Sequence, residues 1–301
     1  MNKFKNEYAG RILVTVCGGF LIVLTLIIGL FLIVRGSATF TEYHHSIFEF
    51  LFSSDWSPKD SVGESGGGVG AAVYIVGSLS TCGLALLISV PFSIAAAVLI
   101  TEIAPDLGTK LFQPAVEIFV GIPSVVYGWV GMTVLVPWIR DTFNAPKGGY
   151  SVLAAGIVLA VMIFPTITTV SADSIRSVSD NYRKAAYGLG STRWQMIWHI
   201  SLPAAMPGIL TGVILGLARA FGEALAVAMV IGKTRAFPDS ILSPTNNLTA
   251  AIASDMGNSA NGGEMNMALW SMALLLFIIS IVCILIIHVI SGRSQKKLTG
   301  R

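Results

Sequence analysis

Long uncharged apolar runs alternate with short polar stretches along the whole chain. Ile12–Val34 is a run of 23 residues without a charge. As an α-helix it spans about 34 Å at ~1.5 Å per residue, against a bilayer hydrocarbon core of ~30 Å. Similar runs cover Ala71–Ile100, Leu111–Ile139, Tyr150–Ala172, Met206–Ile231 and Met265–Ile290. Backbone polar groups must pair internally within lipid, so the six runs predict six transmembrane helices. The expected fold class is all-α, a polytopic transmembrane helical bundle. The first run follows Lys3, Lys5 and Arg11, but it is much longer than the ~7–15-residue core of a signal peptide. It is expected to be a retained first helix.

Composition strengthens this reading. Of 301 residues, 54% are apolar and only 12% charged, and the mean hydropathy is +0.76; a soluble domain carries roughly 25% charged residues. The net charge of +3 matters less than its distribution. With the amino terminus inside, the inner segments hold twelve Lys and Arg residues and the outer loops six. That bias predicts both termini in the cytoplasm. No long basic run points to nucleic acid. Cys17, Cys82 and Cys283 all fall in apolar runs and read as packing residues. His44, His45, His199 and His288 form no metal-like set with a carboxylate, so no metal, cofactor or catalytic residue is assigned.

The polar stretches carry further signals. Ile47, Phe48, Phe50, Leu51, Phe52 and Trp56 form an aromatic cluster suited to a membrane surface. Gly63–Gly70 is glycine-rich but lacks the Lys of a phosphate-binding loop, so it is expected to be a flexible connector, leaving the chain without a nucleotide site. Pro91, Pro123, Pro137 and Pro165 sit at membrane depth, where each favours a kink. Such breaks serve either bundle packing or a transport pathway. The densest is Gly121-Ile-Pro-Ser124, followed by Tyr127-Gly128-Trp129. Gly232–Glu264 is expected to be a polar outer loop.

Between runs four and five, residues 183–203 read as helix–turn–helix. Gly188 and Gly190 supply the turn. Thr192 and Gln195 have capping-box spacing, and Trp194, Ile197 and Trp198 fall at i, i+3, i+4 to give an apolar face. Pro203 is expected to end the second helix. Two such helices either dock on another protein or lie on the bilayer.

The spacing of Ala185, Ala186, Gly190, Ile200, Leu202 and Pro203 resembles the E-A-A-x3-G-x9-I-x-L-P signature of ABC importer permeases. The resemblance implies the type I importer fold and a loop that inserts into an ATPase subunit. Lys184 departs from the signature, which has Glu there. Glu117–Gly128, Thr101–Pro105, Leu217–Val227 and Trp56-Ser-Pro58 resemble the phosphate-specific (Pst) permeases, and the Ile-Pro-Ser-Val-Val-Tyr-Gly run their C type. Implied partners are an A-type permease, two ATPase subunits, an external phosphate-binding protein and membrane lipid. The implied organisation is an N-terminal helix with external loop at 1–70, a permease domain at 71–290 containing the loop 176–203, and a basic tail at 291–301.

Three charges lie within the runs: Glu117, Arg219 and Glu223. Each costs about 2.5–3.5 kcal/mol to insert at mid-bilayer. As an i, i+4 pair on one helix face, Arg219 and Glu223 are placed to neutralise each other. Two readings stand: a buried ion pair holding the bundle, or an arginine lining the pathway and meeting an anion, with Glu223 moderating its grip. Glu117, near the cytoplasmic end of the third run beside Pro114, is expected in an interfacial or packing role rather than lining the pathway. The competing functions are a permease for another oxyanion (molybdate, sulfate or phosphonate), a membrane enzyme, and a stand-alone transporter. The second lacks a nucleophile–base pair in the runs, and the third has no need of the 176–203 loop.

Overall fold

The computed structural model describes residues 2–59 and 66–299; part of the glycine-rich connector expected at 63–70 lies outside them. The helices are α1 (Asn2–Thr41), α2 (Ile47–Phe52), α3 (Ala72–Val98), α4 (Pro105–Leu107), α5 (Gln113–Gly121), α6 (Ser124–Val130) and α7 (Val136–Phe143), followed by α8 (Val152–Arg176), α9 (Asp180–Gly188), α10 (Arg193–Met196), α11 (Leu202–Gly222), α12 (Leu225–Val230), α13 (Leu248–Asp255) and α14 (Glu264–Thr299). Extended pairing among the described residues is limited to the isolated bridges Trp56–Val69 and Gly232–Thr245.

Five segments are long and apolar enough to cross a membrane: Gly10–Thr41, Ala72–Ile103, Lys147–Arg176, Arg193–Gly222 and Glu264–Ile290. The sixth expected span is not one straight helix. Pro105–Gly121 and Ser124–Phe143 meet at 94°. Pro123 bars the helical region to the residue before it, and Ile122 accordingly has ψ 127°. The fifth span also differs from its expected limits: it stops at Gly222, and the stretch to Val230 is the separate helix α12.

Pro203 does not end a helix. The chain runs helically from Arg193 through Gly222. A π-turn over Ile197–Ser201 lets the Leu202 amide reach the Ile197 carbonyl, opening the backbone just before the proline ring.

α8 is the central helix, packed between α3 and α11. Gly208, Gly212 and Gly216 form a stripe on α11 against it. A Cβ at Gly208 would lie 2.1 Å from Ser174 Oγ, and one at Gly216 2.6 Å from Ile167 Cγ1. This is the small-residue spacing that brings helices together where lipid removes the hydrophobic drive between them. The core forms three tiers: one around Trp56, Tyr74, Leu248 and Leu269 at one end, one around Leu159, Ile163 and Phe221 in the middle, and one around Ile175, Met196 and Ile197 at the other.

α1 packs along α14. Ser271 Oγ donates to the Gly36 carbonyl at 2.6 Å, and Phe31 meets Trp270 edge-on at 5.3 Å. Most of α1 is exposed, including Leu13, Phe20 and Leu26. So large an apolar surface fits lipid rather than water.

The segment Gly232–Glu264 is no simple polar loop. It carries α13, and Thr245, Asn246, Asn247, Leu248 and Ala250 are buried. Ser78 Oγ accepts the Leu248 amide at 3.0 Å. Glu264, fully buried, begins α14. Its carboxylate accepts the amides of Lys59 (2.7 Å), Gly66 (3.0 Å) and Gly67 (3.2 Å) and meets His45 Nε2 at 2.8 Å. The described part of the glycine-rich stretch thus wraps an anion belonging to the chain itself. Of the aromatic cluster, Phe50 and Trp56 are buried, while Phe48 and Phe52 stack together on the surface.

Candidate functional site

Two places carry the sequence-derived candidates. The first is the loop between α8 and α11. Ser179 Oγ accepts the Asn181 amide and starts α9. Ala186 is buried in the end core tier, whereas Lys184 and Ala185 are exposed. Among the described residues Lys184 has no ion pair. Gly190 has φ +79°, which a side chain resists. Thr192 and Gln195 form the expected capping box: the Thr192 hydroxyl accepts the Gln195 amide, and the Gln195 side chain accepts the Thr192 amide at 2.9 Å.

The expected apolar face of this loop divides. Ile197 is buried beside Met196, but Trp194 and Trp198 stand 59% and 56% exposed, with rings edge-on at 6.0 Å. Leu189 is 88% exposed. Ile200 packs against the end tier and Leu202 is buried in it, while Pro203 sits within the first turn of α11.

Sequence reasoning passed over Glu102. It lies in a π-turn, Leu99–Ile103, that extends α3, and it is 8% exposed. Its Oε1 accepts Arg183 Nε at 3.0 Å, Arg183 Nη2 at 2.9 Å and Ser201 Oγ at 2.9 Å. Arg193 donates to the carbonyls of Glu102 and Ile103. The available signal was a carboxylate just past an apolar run, facing a loop rich in arginine.

The second place is the end of α11. Arg219 and Glu223 do not form a helical i, i+4 pair, because α11 stops at Gly222 and Glu223 is extended with ψ 114°. Glu223 Oε1 instead accepts the Ala226 amide at 3.0 Å, satisfying a free donor in the first turn of α12. Its carbonyl accepts Thr249 Oγ1 from α13. Arg219, half-buried, donates to Thr166 Oγ1 on α8 at 3.3 Å. Among the described residues it has no carboxylate partner. Beyond Glu223, a cavity of about 640 Å³ opens among α6, α12 and α13, lined by Val125, Met132, Leu225, Met229, Lys233 and Ser254. Glu117 is exposed and accepts the Gln113 side-chain amide at 3.2 Å.

Long apolar helices packed as a bundle, with an exposed helix–turn–helix loop between two spans, define a multi-pass membrane protein. Residues 89–299 match the family described as "Binding-protein-dependent transport system inner membrane component", and the chain belongs to that family. It is a multi-pass inner-membrane permease subunit of the ABC importer class, a class that works with an ATPase and a binding protein. The chain is 46% identical to the "Probable ABC transporter permease protein YqgH" of Bacillus subtilis (strain 168), covering 98% of this chain and 94% of that one. It is 37% identical to the phosphate transport system permease protein PstC of Pasteurella multocida (strain Pm70), covering 83% and 81%. Among solved structures, a bacterial ABC transporter that imports the acidic polysaccharide alginate matches with a TM-score of 0.61 at 16% identity, over 97% of this chain and 99% of that one. The inward-facing methionine transporter MetNI matches at 0.53 and 18%, over 72% and 95%.

Proposed function

We propose that this chain is the C-type permease of a phosphate importer, forming half of the membrane pathway for inorganic phosphate. A phosphate-binding protein delivers the anion from outside, an A-type permease supplies the other half, and two ATPase subunits drive transport through the loop 176–203. The permease domain spans 71–290, preceded by the α1 segment with its external loop and followed by a basic tail. Similarity to several PstC permeases supports the substrate.

The observation that carries the mechanism is Arg219. It is a guanidinium within a membrane span, held by a hydroxyl and free of a carboxylate among the described residues. A cation left in that setting is costly unless an anion or water meets it. Phosphate suits it, because a guanidinium can donate two parallel hydrogen bonds to neighbouring phosphate oxygens. Thr166 holds the Arg219 side chain from one nitrogen and leaves its other donors available. Glu223, four residues on, lowers the local positive potential so that the anion is released. At the other end, Ala185, Lys184, Trp194 and Trp198 present the surface that meets the ATPase, with Ala186, Gly190, Ile200, Leu202 and Pro203 shaping it.

The test is uptake of labelled phosphate by vesicles holding all the proposed subunits. Arg219→Ala should abolish uptake while the ATPase still copurifies with the permeases. Loss of the assembled complex would instead assign Arg219 a packing role. Competition by molybdate, sulfate or phosphonate at equal concentration would shift the substrate to another oxyanion.

A further inference from the structure

Three segments separated in sequence meet at one buried carboxylate. Glu102 ends the extension of α3; Arg183 lies on α9; Ser201 closes the π-turn that leads into α11. Arg183 reaches further, donating to the Ile175 carbonyl at 2.8 Å, in the last turn of α8, and to the Val178 carbonyl at 2.6 Å, just beyond it. Arg193 fastens the start of α10 to the Glu102 and Ile103 carbonyls. Asp180, on the surface, also meets Arg183, at 3.1 Å.

The geometry around the carboxylate is specialised on both sides. Glu102 sits in one π-turn and Ser201 in another. Such turns hold an extra residue per hydrogen-bonded ring and recur at functional sites. A buried ion pair adds little net stability over apolar packing, and its best-attested use is fixing one arrangement against others. On the outer side of this loop, Leu189, Trp194 and Trp198 are largely exposed.

We propose that Glu102 and Arg183 are positioning residues for coupling: they form the link through which displacement of α9 and α10 is passed to α3, α8 and α11. This rests on the reading that the loop docks on an ATPase. A push on α9 moves the Arg183 guanidinium, which draws the end of α3 through Glu102 and α11 through Ser201. Arg219 lies on that same α11. The pair therefore connects the driven surface to the span that carries the anion contact.

The test uses the full transporter in proteoliposomes, with Cys17, Cys82 and Cys283 replaced and a reporter cysteine at exposed Ala218. Maleimide labelling of Ala218→Cys is measured with and without magnesium ATP, alongside phosphate uptake per ATP hydrolysed. Glu102→Gln keeps the size and a hydrogen-bond acceptor but removes the charge. It should reduce the ATP-dependent change in labelling and the uptake per ATP by about tenfold, within the usual range of coupling factors, with ATPase copurification unchanged. Glu102→Asp should recover part of the response. If Glu102→Gln fails to assemble, Ser201→Ala, which removes one hydrogen bond to the carboxylate, and Arg183→Lys, which keeps the charge but gives up the guanidinium's forked contacts, should each weaken the response severalfold. Parental responses in the assembled variants would overturn the proposal. Absence of phosphate uptake by the parent, with the labelling response intact, would count against the phosphate reading and leave the link standing.

Discussion

Glu223 accepts the Ala226 amide, and an amide side chain can make that same bond. Glu223→Gln therefore separates the charge of this residue from its capping role. With the cap preserved, the complex should assemble as in the parent. The loss of a negative charge near Arg219 should tighten phosphate binding and slow its release, lowering the apparent KM and maximal uptake together by a few-fold. Unchanged values for both in an uptake titration would reduce Glu223 to a cap. That Arg219 and Glu223 mattered was legible from charge in an apolar run, but their geometry was not. The i, i+4 inference assumed a continuous helix, and Gly222 ends it. Glu102 was harder still to find. Its partner Arg183 lies 81 positions away, and neither periodicity nor composition records so distant a contact.

At the scale of the element, the loop between α8 and α11 depends on two local devices that sequence spacing does reveal. Gly190 occupies the left-handed region, which costs an L-residue about 1–2 kcal/mol. The Thr192 hydroxyl caps α10, worth about 1 kcal/mol against alanine. Gly190→Ala and Thr192→Ala should each loosen α10, raising amide hydrogen exchange over residues 193–197 by roughly fivefold or more, as a 1 kcal/mol loss requires. Exchange at the parental rate in either variant would show that tertiary contacts through Met196 and Ile197 hold the helix without its start signals. The end of this element was misjudged for a physical reason. Pro203 stops a helix only where the backbone keeps a strict i to i−4 ladder, and the π-turn before it relaxes that ladder. At Pro123 the same residue type does break the span, because Ile122 is driven to extended geometry. Proline marks such places in a sequence; the neighbouring backbone decides the angle. The Gly208–Gly212–Gly216 stripe, which forms the close face between α11 and α8, was overlooked although its four-residue spacing stands in the sequence.

Across the whole molecule, the two ends are held by different buried carboxylates. Glu102 ties the end that carries α9 and α10, and Glu264 ties the other. Glu264 gathers the amides of Lys59, Gly66 and Gly67 with His45, so the described residues between α1 and α3 are pinned to the start of α14. Tyr43 adds to this attachment, its hydroxyl donating to the Gly262 carbonyl at 2.6 Å. Without these bonds the amides at 59, 66 and 67 lose their acceptor. Hydrogen bonds to a charged group contribute about 1.5–3 kcal/mol each, and buried donors left unpaired cost a similar amount. Glu264→Gln retains one acceptor oxygen and should destabilise the chain by roughly 1.5–3 kcal/mol, while Glu264→Ala should do more. Thermal unfolding of the purified complex in detergent measures both. Hydrogen exchange should place the loosening in residues 42–59 and 66–70 and spare α9 and α10. An equal loss of protection at both ends would mean that the bundle responds as one body, and the separation of a held outer end from a driven coupling end would fail with it.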